Sequence, residues 1–261
     1  MKILFIGDIV GSPGRQAIRE LVPELTKRHK LDLCIANAEN AAGGSGITPQ
    51  IAEELFSYGL HLLTSGDHIW NRKEILEMLD SDGRILRPAN YPPGVPGSGS
   101  GLCKTRDGRA VGVINVEGRV FMHSSLECPF KYAQAAVAEL KKSTAVILVD
   151  IHAEATSEKI ALGWYLDGSV SAVLGTHTHI QTADEKILPQ GSAYITDVGM
   201  TGPYHSVIGR KTEQILARFL TQMPVRFEMA TEDVQLHGAV LDIDEKTGKA
   251  VSITRVQEKL T

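Results

Sequence analysis

The chain has 261 residues, 43% of them hydrophobic, with 27 Lys and Arg against 31 Asp and Glu and a formal net charge of −4. That balance lacks the broad positive field polyanion binders use, so no strong nucleic-acid binding is expected. Cys34, Cys103 and Cys128 are too few and too scattered for a disulfide framework or zinc knuckle, and the sequence shows no signal peptide and no apolar run long enough to span a bilayer, so we expect a cytoplasmic protein without a membrane partner.

No Pro/Gly linker divides two apolar halves, and residues 1–261 are read as one domain. The first apolar run, Lys2 to Gly7, reads as a buried strand ending at Asp8, and Ser12-Pro13 as the start of a helix. That helix should end in Lys27-Arg28-His29-Lys30, a basic cluster better suited to complementing a helix dipole in solvent than to contacting RNA. Leu31 to Asn37 is a second strand run and leads to Glu39-Asn40. Thr48-Pro49 has the form of an N-cap followed by proline at N1, with Ile51, Leu55 and Tyr58 at helical spacing and Gly59 to close the helix. Leu60 to Gly66 is a third strand run, containing His61 as a buried residue, and gives Asp67-His68; His29 is placed at the surface.

Pro88 to Gly101, rich in Pro, Gly and Ser, reads as an irregular loop before a hairpin over Leu102 to Val116 that turns at Asp107-Gly108. Tyr132 to Lys142 is helical, Ala145 to Ile151 is a strand run ending at His152, and Val170 to Leu174 runs into Gly175-Thr176-His177-Thr178-His179. A helix over Gly209 to Gln222 and an antiparallel pair within Val234 to Val256, turning at Lys246-Thr247-Gly248, follow. The alternation of strands and helices indicates an α/β fold with two sheets packed between helices.

Five of these runs end in Asp, Glu, Asn or His. In such sheets, sites form outside the carboxyl ends of the strands, so residues far apart in sequence converge there. His177 and His179 are the most informative pair: in extended backbone, residues i and i+2 point to one side and can share a metal or bind two adjacent ones. Alone, the pair is equally a solvated strand end. Joined by Asp8, Glu39, Asn40, Asp67 and His152, it becomes a mixed oxygen and imidazole set that suits Mn, Fe or Zn better than Ca or Mg. Other eye-catching features have plainer readings. The Gly7, Gly11, Gly14 spacing is not that of a dinucleotide fingerprint, and Gly43-Gly44-Ser45-Gly46 lacks the Lys-Ser/Thr of a P-loop. His205 lies in a Gly/Pro-bordered loop that is placed to cover the site and contact substrate.

The ordered blocks Gly7-Asp8-Ile9-Val10-Gly11, Ala38-Glu39-Asn40-Ala41-Ala42-Gly43-Gly44, Gly66-Asp67-His68, His152, Gly175 to His179 and Ser206-Val207-Ile208-Gly209 resemble those of the calcineurin-like metallophosphoesterases, specifically their YmdB-type branch, from Met1 to about Gly209. The resemblance implies a four-layer αββα sandwich of two mixed sheets flanked by helices. It also implies two metal ions, Fe and/or Mn with Zn as an alternative: Asp8, Glu39 and His179 hold one, Glu39, Asp67, His152 and His177 the other, and Asn40 is a ligand or phosphate contact. Two such ions can hold a hydroxide between them and clamp phosphate oxygens for in-line attack. His68, next to a ligand but turned to the other side of the chain, is then free to act as general acid. The implied substrate is a small nucleotide phosphodiester such as 2′,3′-cAMP, and the implied class a metal-dependent phosphodiesterase. A phosphomonoesterase or nucleotidase using the same metals, and a regulatory metal- or nucleotide-binding protein, are the alternatives; a homo-oligomer is expected on general grounds.

Asp8-Ile9-Val10 lacks the imidazole of the superfamily's Asp-x-His, and Glu39 replaces its bridging Asp; both features resemble the YmdB branch. Asp67, where the family has Asn, is this chain's own departure. With Asp8, Glu39, Asp67 and one hydroxide, two divalent cations are fully neutralised, so the site is expected to tolerate a trivalent ion such as Fe(III) or to be a weaker Lewis acid than its relatives.

Overall fold

The computed structural model describes residues 1–261. β1 (Lys2–Ile6) and β2 (Asp8–Ile9) run into α1 (Gly11–His29), followed by β3 (Leu33–Asn37), α2 (Pro49–Ser57), β4 (Leu62–Thr64) and α3 (Leu76–Ser81). A hairpin of β5 (Ser100–Lys104) and β6 (Ala110–Glu117) precedes α4 (Pro129–Leu140), β7 (Ile147–His152), α5 (Thr156–Leu166) and β8 (Ala172–Thr176). Then come β9 (Lys186–Ile187), β10 (Ala193–Ile195), β11 (Met200–Pro203), α6 (Thr212–Thr221), β12 (Val234–Ile243) and β13 (Ala250–Lys259).

Local chemistry explains most boundaries. The Thr48 hydroxyl accepts from the Ile51 amide, Pro49 opens α2, and Gly59 leaves it at φ 102°. α1 ends with three basic residues and Lys30 in left-handed backbone, its amide bonded to the Thr26 carbonyl. α1 begins at Gly11, ahead of Ser12, and no side chain caps it; the Gly11 amide is instead taken by the Asn40 carbonyl at 2.9 Å. α6 begins three residues later than expected because Val207 and Arg210 close a tight turn over Ile208 and Gly209. α4 starts earlier, at Pro129. His61 stands just before β4, half-buried, its Nδ1 accepting from the Cys34 amide.

The first sheet has seven strands in the order β2-β11-β12-β1-β3-β4, with β13 on β12; the second has six, β5-β6-β7-β8-β10-β9. β1, β3 and β4 are mutually parallel, as are β6, β7, β8 and β10, while antiparallel partners make both sheets mixed. The period-two alternation sorts the apolar side chains by layer. Ile3, Phe5, Leu33, Ile35 and Leu62 pack between the sheets against Val113, Leu148, Ala172 and Leu174. Leu4, Ile6, Cys34 and Leu63 face α1 and α2, through Ala17, Ile18, Val22 and Leu55; Val149, Ile151 and Val173 face α4 and α5 through Ala133, Val137, Leu162 and Leu166. The result is the four-layer αββα sandwich. No helix is long and apolar enough to cross a membrane.

Candidate metal centre

The parallel strands deliver their carboxyl ends to one edge of the sandwich. Asp8 directly follows Gly7, Glu39 and Asn40 follow β3, and Asp67 and His68 follow β4; His152 is the last residue of β7, and His177 the first beyond β8. Gly66 must be glycine: a Cβ there would meet His152 Cδ2 at 2.2 Å and Glu39 Oε2 at 2.3 Å. The Asn37 side chain accepts from the Glu39 amide at 3.1 Å and so turns the Glu39 carboxylate into the site.

The His177-Thr178-His179 segment departs from the extended geometry expected of it. β8 stops at Thr176, and His177 and His179 sit at φ 97° and 67°, backbone that residues other than glycine rarely adopt. Asp197 supplies the reason, accepting from the Thr178 amide at 3.1 Å and hydroxyl at 2.6 Å, while Asp8 accepts from the His177 amide at 3.1 Å. The two imidazoles therefore diverge. His177 Nδ1 lies 3.0 Å from His152 Nε2, whereas His179 Nε2 lies 3.2 Å from Asn40 Nδ2. Strain of this kind persists where surrounding bonds over-determine it, as at a ligand-binding turn.

Glu39, Asp67, His152 and His177 place one donor atom each within 4.8 Å of one another. His152 Nε2 is 3.0 Å from Glu39 Oε2 and 3.3 Å from Asp67 Oδ1, and His177 Nδ1 is 3.7 Å from the latter. Asp67 Oδ1 and Asp8 Oδ1 are buried with no hydrogen-bond partner. Buried carboxylate oxygens without donors call for a cation, and the mixed oxygen and nitrogen set fits a transition metal. Asp8 and His179 stand outside the compact set of four.

Hydrogen bonds fix the tautomers. The Thr176 hydroxyl donates to Asp150 at 2.7 Å and therefore accepts from His152 Nδ1–H at 2.9 Å, which turns Nε2 toward the cluster. His179 Nδ1–H donates to the Ile208 carbonyl at 3.1 Å, leaving its Nε2 to face Asn40 Nδ2, and Glu154 Oε2 lies 3.3 Å from His177 Nε2, leaving Nδ1 inward. Burial holds His177 down at about 4 and lowers His179, so both rings are neutral, as metal ligation requires. Burial opposes a charge on His152 too, yet Glu39, Asp67 and Asp8 raise its pKa well above the ordinary value; burial in turn holds the Asp8 carboxyl well above its usual range.

A family model described as "YmdB-like protein" matches residues 4–256. The chain belongs to the YmdB-like family. Among its relatives, a 2′,3′-cyclic-nucleotide 2′-phosphodiesterase of Bacillus subtilis strain 168 is 51% identical, over 98% of this chain and 96% of that protein. The crystal structure of a hypothetical protein from Thermus thermophilus superposes with a TM-score of 0.93 at 42% identity, covering 100% of both chains. That of a novel phosphatase from Mycoplasma pneumoniae gives 0.92 at 34% identity, covering 99% of this chain and 93% of the other.

In this YmdB-like chain His68 lies within the same cavity as the cluster. Its Nδ1 donates to Asn40 Oδ1 at 3.0 Å and lies 3.3 Å from Glu39 Oε1, while Nε2 makes no hydrogen bond and lies 3.9 Å from Asp67 Oδ2. The bond to Glu39 raises its pKa. Asn40 is a hub, its Nδ2 donating to Glu39 Oε1 at 2.7 Å while its Oδ1 accepts from His68. His205 takes no part; it is exposed and paired with Glu232 at 3.0 Å.

Asp150, Glu154, Asp197 and Arg210 are not among the sequence-predicted site residues, yet they adjoin the site. Asp150 had a legible signal, since a carboxylate in the buried run Ile147 to His152 needs partners, and it has Thr64, Thr176 and Asn37. Arg210 lines the same cavity of about 440 Å³ as Glu39, His68 and His179, donating to the Gly44 carbonyl at 2.8 Å and to Met229 Sδ, with no carboxylate in ion-pair range. A groove of about 700 Å³ between α1, α2 and the β5–β6 turn is larger, but it gathers none of the ligands. The ligand chemistry, not the volume, selects the site.

Proposed function

We propose that the chain hydrolyses a small cyclic nucleotide phosphodiester, of the 2′,3′-cAMP type, at a dinuclear metal centre. The observation that carries this is the compact set Glu39, Asp67, His152 and His177, with orphaned oxygens on Asp67 and on neighbouring Asp8. The Bacillus relative's activity supports the substrate class. The chain is thus read as a phosphodiesterase, a hydrolase of phosphoric esters. Glu39, Asp67, His152 and His177 would hold one ion, and Asp8, Glu39 and His179, with Asn40 beside them, the other, Fe or Mn suiting the donors and Zn being the alternative. Such ions supply Lewis-acid polarisation of the phosphate and activation of water at neutral pH.

The protein's own groups do the rest. Arg210, a half-buried cation without a counter-ion, gives the incoming phosphate a charge partner. His68, with Nδ1 fixed on Asn40, presents Nε2 for delivery of a proton to the leaving oxygen. Three unpaired cysteines, two of them buried, suit a reducing compartment such as the cytoplasm. The expected homo-oligomer is open to light scattering.

The test is phosphorus NMR of protein loaded with Mn or Fe, given 2′,3′-cAMP and a phosphomonoester, with Asp8→Ala as control. Preferential opening of the cyclic diester, lost in the control, is the expected result. The Mycoplasma neighbour, named a phosphatase, makes monoester hydrolysis the competitor, and monoester preference would hand it the assignment.

A further inference from the structure

The cavity over the cluster is polar at the ligands but carries Ile208, Ile215 and Phe227 on its wall. Ile208 and Phe227 are 49% and 38% exposed, so two large apolar side chains in one active-site cavity are left uncovered. Ile208 also occupies a costly conformation. Val207 and Arg210 exchange both backbone hydrogen bonds, at 2.9 and 3.0 Å, closing a two-residue turn with Ile208 at φ 45° and Gly209 at φ 95°. Such a turn favours Asn or Gly first, and a β-branched residue there is strained. Nothing in the turn itself calls for isoleucine. Its place on the cavity wall does, while its carbonyl, which any residue would supply, holds His179 Nδ1–H at 3.1 Å.

We infer that Ile208 and Phe227 form the seat for the base of the nucleotide substrate, and that the Ile208 turn ties this seat to the orientation of His179. This rests on the phosphodiesterase reading and adds the specificity element. A nucleoside cyclic phosphate has one anionic end and one flat, weakly hydrated face. The cavity offers the cluster and Arg210 to the first, and an aromatic ring with a branched aliphatic side chain to the second. Stacking on an aromatic ring tolerates every base because each has a π-face, so the seat selects nucleotides over bare sugar phosphates without naming the base.

The test compares adenosine 2′,3′-cyclic phosphate with methyl riboside 2,3-cyclic phosphate, which lacks a base. Wild type, Phe227→Ala, Phe227→Trp and Ile208→Gly are assayed, and binding of adenosine 3′-monophosphate to each is measured by calorimetry. Wild type should prefer the nucleoside in kcat/KM. In Phe227→Ala that preference and the nucleotide affinity should each fall about tenfold, mainly through KM, with recovery in Phe227→Trp. Ile208→Gly relieves the backbone strain but removes the side chain, and should weaken nucleotide binding while retaining bound metal. Equal preference and affinity in wild type and Phe227→Ala would overturn the seat while leaving hydrolysis intact. Wild type inactive on both cyclic esters would instead overturn the phosphodiesterase reading, and unchanged calorimetric affinity in Phe227→Ala would then count against the seat independently.

Discussion

His152 and His179 turn the same atom, Nε2, toward the cluster but are held by different means. His152 ends a fully buried strand, and its Nδ1–H runs through Thr176 to Asp150, which Thr64 and Asn37 also grip. His179 rides on a left-handed turn, and its Nδ1–H rests on the carbonyl of the exposed Ile208 turn. One imidazole is fixed by the meeting of two sheets, the other by a loop that also lines the cavity. A site can thus combine a half fixed by strand pairing with a half fixed by loop hydrogen bonds.

Truncation should expose the contrast most strongly. His152→Ala leaves Glu39 and Asp67 without their buried partner, and should abolish metal retention and lower turnover well beyond the roughly 100-fold that outer hydrogen-bond partners reach. His179→Ala should keep part of the metal. Equal metal loss in the two variants, by plasma emission spectrometry, would erase the distinction. Removing only the support gives a smaller effect: Thr176→Val should cut activity or metal affinity about 10- to 100-fold by freeing the His152 ring. An unchanged metal titration in Thr176→Val would show that the strand alone fixes that ring.

Asp67→Asn probes the charge of the half fixed by strand pairing. The wild-type centre should carry more trivalent iron than the variant, and turnover should rise about tenfold or less when the carboxylate is removed. Identical iron oxidation states by paramagnetic resonance, with identical rates, would sink the charge argument. The smallest effect concerns His237, stacked on Tyr204 with Nδ1 2.6 Å from its hydroxyl. Burial holds its pKa at about 4 against an ordinary 6.5, so the native ring is neutral while the unfolded ring takes up a proton. The stability His237 contributes is therefore present above pH 6.5 and lost as pH falls toward 4. Thermal melts at pH 7 and pH 5 should show a smaller acid-induced drop in Tm for His237→Gln than for wild type.

The half fixed by strand pairing was legible in the sequence because it obeys a local rule: apolar runs ended in Asp8, Glu39, Asp67 and His152, and parallel pairing brought those ends together. The turn that carries His177 and His179 is not legible in the sequence because its geometry is tertiary. Asp197, far along the chain, bends the His177 to His179 segment out of the extended form, and neighbouring residues give no hint of that hydrogen bond. Asn40 pulled His68 into the cavity by equally non-local means. Arg210 and Phe227 follow the last ligand block and carry no spacing pattern, so only the folded cavity singles them out.

β12 lies beside β1, pairing Lys2 with Asp242 and Ile6 with Gly238. During synthesis every candidate ligand, from Asp8 to His179, therefore leaves the ribosome before the strand that completes the sheet behind Asp8. A nascent chain carries the full set of donors while lacking its finished frame, and the long sequence separation makes that closure a slow, late contact. The last hairpin is thus the step that completes the frame around the donors.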